Sequence, residues 1–127
     1  MSTVQIAVTG GESSQVVAST VGIQGPAGVS SYATVSGTSY ALSNVDRSKI
    51  LVFTASGATT VTVPSGLSTL FDVMIVQSGL GQVTVSGVSG VTINAALSAT
   101  KTAYQYAVAT LLPIGTDTFI LSGEVTA

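Results

Sequence analysis

The chain has no cysteine and no histidine. Without cysteine there is no disulfide framework, no thiolate zinc site and no thiol nucleophile, and cysteine usage assigns no redox compartment. Without histidine, the commonest general base, metal ligand and physiological-pH switch is missing. Charge is the next scarcity. Three basic and five acidic residues make up 6% of 127, against about 25% in ordinary soluble domains. They are Arg47, Lys49, Lys101, Glu12, Asp46, Asp72, Asp117 and Glu124. Three cations in a chain of net charge −2 cannot build a phosphate-binding stripe, so nucleic acid is not expected as a partner. Long apolar runs are also missing. No window approaches about 18 unbroken apolar residues, so no membrane-spanning helix is expected. The opening Met-Ser-Thr-Val-Gln-Ile-Ala-Val lacks a basic region and a long apolar stretch, so no secretory leader is expected.

Apolar residues nevertheless make up 46% of the chain, and Gly, Ser and Thr fill most of the rest. A small domain has much surface for its volume and ordinarily covers it with charge. Two readings follow: a monomer coated in Ser and Thr, or a subunit whose flanks are buried against copies of itself or a larger assembly. The second is favoured, because obligate interfaces are depleted of charge and resemble a divided core.

Three segments are expected. Residues 1–21 hold one strand-like run at Val4-Gln5-Ile6-Ala7-Val8 and another at Gln15-Val16-Val17-Ala18. Two short strands are marginal alone, so this segment is expected to be an extended docking arm, using Val4, Ile6, Val8, Val16 and Val17. Residues 22–28 read Gly-Ile-Gln-Gly-Pro-Ala-Gly. Glycine at every third position is the collagen rhythm, required where three polyproline chains meet at an axis. Two triplets cannot hold a triple helix together, but Gly22, Gly25, Pro26 and Gly28 suit a short trimeric neck. A simple loop is the alternative.

Residues 29–127 carry the folding signals. Strand-like runs occur at Lys49-Ile50-Leu51-Val52-Phe53, Thr59-Thr60-Val61-Thr62-Val63, Phe71 to Gln77, Gln82 to Ser86, Tyr104 to Leu112 and Thr118 to Gly123. Phe71 to Gln77 is the most apolar and is expected at the centre of a sheet. Ser43 to Ser48 reads as a polar turn or a single helical turn. No ten-residue segment shows a 3.6-residue period. The expected fold is all-β, an antiparallel β-sandwich or jelly roll with an N-terminal arm, assembled as a trimer. Val-Thr-Val recurs at 61–63 and 83–85, but no true period is evident, so a repeat solenoid is not expected.

Candidate chemistry is sparse. No base is in view to activate a serine or threonine. The acids are isolated in sequence, and Asp46, Asp72 and Asp117 are expected to cap turns and strand ends. No calcium-loop pattern occurs. The glycines at 79–81 and 87–90 are expected in hairpin turns rather than in a phosphate cradle. No cofactor, no metal and no enzymatic activity are expected. Tyr104 and Tyr106 fall on one face of an expected strand. They are read as packing residues, with a ligand face as the alternative.

The run Tyr40-Ala41-Leu42-Ser43-Asn44-Val45-Asp46-Arg47-Ser48-Lys49 opens a familiar order. Thr59 to Pro64, Val76 to Thr84 and Gly90 to Asn94 follow, and Ala109 to Gly123 closes it. This order, over about residues 39–123, resembles a β-module of tailed-bacteriophage virion proteins, found in tail fibres and capsid-decorating head fibres. The closing tryptophan associated with that module is Phe119 here. The resemblance implies a homotrimeric structural protein with a collagen-like neck, made in the host cytoplasm and carried on the virion. It transfers no catalytic residue. Its short length favours a decoration protein bound to the major capsid protein through residues 1–21. The alternative is a tail-fibre module that binds a receptor or host surface glycan.

Overall fold

The structure is a computed structural model that describes residues 31–127. The arm and neck lie outside the described residues, and with them Val4, Ile6, Val8, Val16, Val17, Gly22, Gly25, Pro26 and Gly28. What is described is all-β. Its strands are β1 (Ser31–Val35), β2 (Ser39–Ala41), β3 (Lys49–Phe53), β4 (Thr59–Val63), β5 (Val73–Gln77), β6 (Val83–Gly87), β7 (Thr92–Ala95), β8 (Lys101–Thr102), β9 (Val108–Gly115), β10 (Thr118–Gly123) and β11 (Val125–Thr126). Helical residues among these are confined to the 3-10 turns Asn44–Asp46 and Ala96–Ser98. The first falls within the polar turn expected at 43–48.

The strands form two sheets: six strands in the order β1-β3-β5-β9-β10-β7, and five in the order β11-β8-β6-β4-β2. β1, β3 and β5 run parallel, and so do β2, β4 and β6. This corrects the antiparallel sandwich or jelly roll. The first two thirds of the domain is a short β-solenoid. Each link turns a corner into the opposite sheet, so a strand pairs with the next but one, which runs the same way. Strand, turn, strand is the same local pattern for a hairpin and for a corner; only pairing separates them. The coils repeat in space but not at a fixed length in sequence: Ser31 faces Lys49 and Ser39 faces Thr60, offsets of 18 and 21 residues. Lys49 faces Val73 and Thr59 faces Val83, one offset in both sheets, and it aligns Val61 with Val85. The recurrence of Val-Thr-Val falls two residues short of that register, which hides it.

Antiparallel pairing closes the C-terminal end: β9 against β5 and β10, and β8 against β6 and β11. β5 is third of six, central as its apolarity predicts. β9 and β10 form a hairpin over Thr116-Asp117, with Asp117 left-handed at φ 49°. β9 starts four residues later than expected, at Val108, and continues through Pro113. Proline is tolerated because β5 offers no partner past Leu111, and the β9–β10 register shifts beside it, at Thr118/Phe119.

The core lies between the sheets. Inward positions alternate along the strands: Leu51 and Phe53, Val61 and Val63, Val73 and Ile75, Val83 and Val85, Ala109 and Leu111, Phe119 and Leu121. Phe71 meets Phe119 edge-on at 6.4 Å, and Tyr40 meets Phe53 at 6.0 Å.

The glycines at 79–81 are not in a hairpin, because β5 and β6 belong to different sheets. They form a corner stacked on the preceding corner. Ser78 and Gly79 donate their N–H groups to the Phe53 carbonyl, and Gly81 donates to Ala55 at 3.0 Å. The turn at 87–90 likewise joins opposite sheets.

Candidate functional site

Every carboxylate among the described residues is bound. Asp46, buried in the 3-10 turn, accepts the Ser43 N–H at 3.0 Å and the Tyr40 hydroxyl at 2.8 Å. Asp117 accepts the Gly66 N–H at 2.8 Å. Glu124 accepts the Val108 N–H at 2.9 Å and the Tyr104 hydroxyl at 3.1 Å. Asp72 accepts the Ser48 hydroxyl at 2.9 Å. Asp46 and Asp117 thus hold turns, the role expected of them; Asp72 ties one side chain rather than a backbone end.

The Tyr40–Asp46 contact has a titratable consequence. Burial, then the hydrogen bond to Asp46 and its negative charge, push the Tyr40 phenol up to about 12 from 10.0. A pKa raised by folding contributes stability that is complete below the unfolded value and is lost as pH rises through the folded one. Thermal melts should therefore lose stability between pH 10 and pH 12. Tyr40→Phe should be less stable at neutral pH, by about 1.5–3 kcal/mol for a lost bond to a carboxylate, and should show a shallower alkaline loss. An equal alkaline loss in the variant would place the cause in another group. At the exposed Tyr104, the hydrogen bond to Glu124 and its charge also raise the phenol.

A buried polar junction ties the sheets together, and the sequence reading missed it. Gln77 and Thr102 are both buried, at the ends of β5 and β8. The Thr102 hydroxyl donates to Gln77 Oε1 at 2.5 Å and accepts the Val83 N–H at 2.9 Å. Gln77 Nε2 donates to the Gly79 carbonyl, and Gln82 Nε2 to the Thr102 carbonyl. One signal was available: a glutamine ending the otherwise apolar Val-Met-Ile-Val.

Tyr104 and Tyr106 do not share a strand face, because the strand begins only at Val108. They stand in the turn before it, and both are exposed. Tyr106 adopts φ 68°, a left-handed conformation uncommon for a bulky residue. It is held there by its N–H on the Gln77 carbonyl at 2.6 Å, and Gln105 Nε2 fastens the same turn to the Ser78 carbonyl. The two phenol rings are thus presented on a backbone anchored to the polar junction.

An open groove of about 380 Å³ is lined by Arg47, Ser48, Leu70, Asp72, Leu112 and Pro113. Its carboxylate is engaged by Ser48. Among the described residues no three of Asp and Glu converge to hold a metal ion, and no helix is long and apolar enough to cross a membrane. No protein-family model matches the chain, and neither a curated protein nor a solved structure matches it.

Proposed function

We propose that this chain is a structural virion protein, a homotrimeric capsid decoration or head-fibre protein. Residues 1–21 dock on the major capsid protein, residues 22–28 form the neck, and the β-domain projects outward. The observation that carries this reading is the employment of the carboxylates. Asp46, Asp117 and Glu124 each hold a backbone N–H and Asp72 holds the Ser48 hydroxyl, so all four are engaged within the fold, as suits a scaffold rather than a reaction site. The scarcity of charge and the resemblance over residues 39–123 add the assembly and the virion.

The test is co-sedimentation of the full chain with capsids that lack it. The wild-type chain is expected to pellet with the capsids, and Ile6→Asp combined with Val8→Asp to stay in the supernatant at unchanged mass. Wild-type protein that ignores capsids overturns the capsid reading. A double variant that still decorates overturns the arm.

A second reading, a tail-fibre module that binds a receptor or surface glycan, is favoured by one observation: Tyr104 and Tyr106 stand exposed on one anchored turn. Glycan-array binding that vanishes in Tyr104→Ala and Tyr106→Ala would select it.

A further inference from the structure

The groove lies at the end of the domain where the described chain begins. Ser31, Lys49, Val73 and Leu111 stand in one row across the adjacent strands β1, β3, β5 and β9. The groove residues Arg47, Ser48, Asp72, Leu112 and Pro113 come just past that row, at the end where β1 starts. Ser31 is three strand spacings from Leu111, about 14 Å. Two properties of the groove call for an occupant. Leu70 and Leu112 expose apolar surface on its walls. Arg47 is exposed, and among the described residues no carboxylate bonds to its guanidinium. Asp46 holds Ser43 and Tyr40, Asp72 holds Ser48, Asp117 holds Gly66, and Glu124 holds Val108 and Tyr104.

We infer that this groove is the docking site of the chain's own N-terminal segment, with Glu12 on Arg47 and Val16 and Val17 on Leu70, Leu112 and Pro113. Glu12, Val16 and Val17 precede the described residues. Glu12 is the only charged residue in 1–30, so it is the one acid that segment can offer Arg47. The spacing fits. From Glu12 to Val16 an extended chain covers about 13 Å, and from β3 to β9 the groove crosses two strand spacings, about 10 Å. Between Glu12 and Ser31 the chain can span about 60 Å, several times the distance it must cover to fold back. Asp72, held by Ser48, repels Glu12 from the β5 wall and so favours the Arg47 side. An exposed ion pair is weak alone; it sets the register, and the valines supply most of the contact. The inference is independent of the virion reading. It divides the arm: residues 12–17 lie on the domain, and Val4, Ile6 and Val8 are left for a partner.

The test uses the full chain, which has no native cysteine. Val16→Cys is combined with Leu112→Cys in the groove and, as a control, with Ser86→Cys, exposed near the same end of the opposite sheet. Under mild oxidation the groove pair is expected to form a disulfide within one chain about tenfold faster than the control pair, because docking raises the local concentration of the two thiols. Adding Glu12→Lys is expected to slow the groove pair about fivefold and leave the control unchanged, and adding Arg47→Glu to that variant is expected to restore the rate. Equal rates for the two pairs overturn the docking. A disulfide that joins two chains on a non-reducing gel overturns the chain's own segment as occupant and puts a second copy there. A fast groove pair that Glu12→Lys does not slow overturns the pairing of Glu12 with Arg47. If the Leu112→Cys variant does not fold, Val16→Cys with Leu70→Cys gives the same comparison. The capsid reading is tested separately, through Ile6 and Val8, and survives any of these results.

Discussion

Gly81→Ala is expected to cost the domain more than about 3 kcal/mol, from a backbone clash together with lost corner hydrogen bonds. A Cβ at this position would lie 1.8 Å from the Gly57 carbonyl oxygen and 2.9 Å from that of Ala55. Both are backbone atoms, so no side-chain rotation relieves the contact. The corner at 78–81 would have to lift from the corner beneath it. The bonds from Ser78 and Gly79 to Phe53 and from Gly81 to Ala55 would stretch with it. In a domain of this size each kcal/mol moves Tm by about 4–8 °C, so a fall of more than about 12 °C is expected. Gly57→Ala is the internal control. Its nearest neighbour is the Thr38 methyl at 3.7 Å, an ordinary contact. That variant should be neutral, or more stable by up to about 1 kcal/mol through a stiffer unfolded chain. Equal melting temperatures for the two variants would overturn the stacked-corner account.

Phe119→Ala is expected to destabilise by about 3–5 kcal/mol, the usual cost of emptying a large aromatic site in a core. Phe119 is only 1% exposed and points from β10 into the space between the sheets, edge-on to Phe71. It joins the antiparallel C-terminal hairpin to the core of the parallel coil, so its loss should loosen both. Against a total stability of about 5–15 kcal/mol, the loss removes about a fifth or more. Urea titration should show a lower midpoint at unchanged slope, and Phe119→Leu should cost only about 1–2 kcal/mol because most of the volume remains. A Phe119→Ala chain as stable as wild type would show that the hairpin does not share the core.

Much of the domain was readable along the chain. Thr59 to Val63 and Gln82 to Ser86 announce strands by alternation, and Val-Met-Ile-Val announces a central one by being apolar throughout. Asp46 and Asp117 hold turns, as isolated acids near turn residues do. Side-chain period and turn chemistry are local properties, so they survive in one dimension. What failed to show was pairing. Gly79 and Gly81 look like a hairpin turn by composition, and only their contact with the preceding corner reveals two stacked coils. Tyr104 and Tyr106 alternate as a strand would, yet the hydrogen bonds of the turn to Gln77 and Ser78 hold them off the sheet.

By itself, then, the sequence determined that the described domain is all-β and where most of its longer strands lie. It also determined that no cysteine or histidine chemistry is available. The tertiary structure alone decided that the early strands wind in parallel into two sheets and that Gln77 and Thr102 meet between them. The physical reason is that the partner of each early strand lies two strands away. Long-range register, not local propensity, selects it, and the distribution of outward side chains exists only once that register is set.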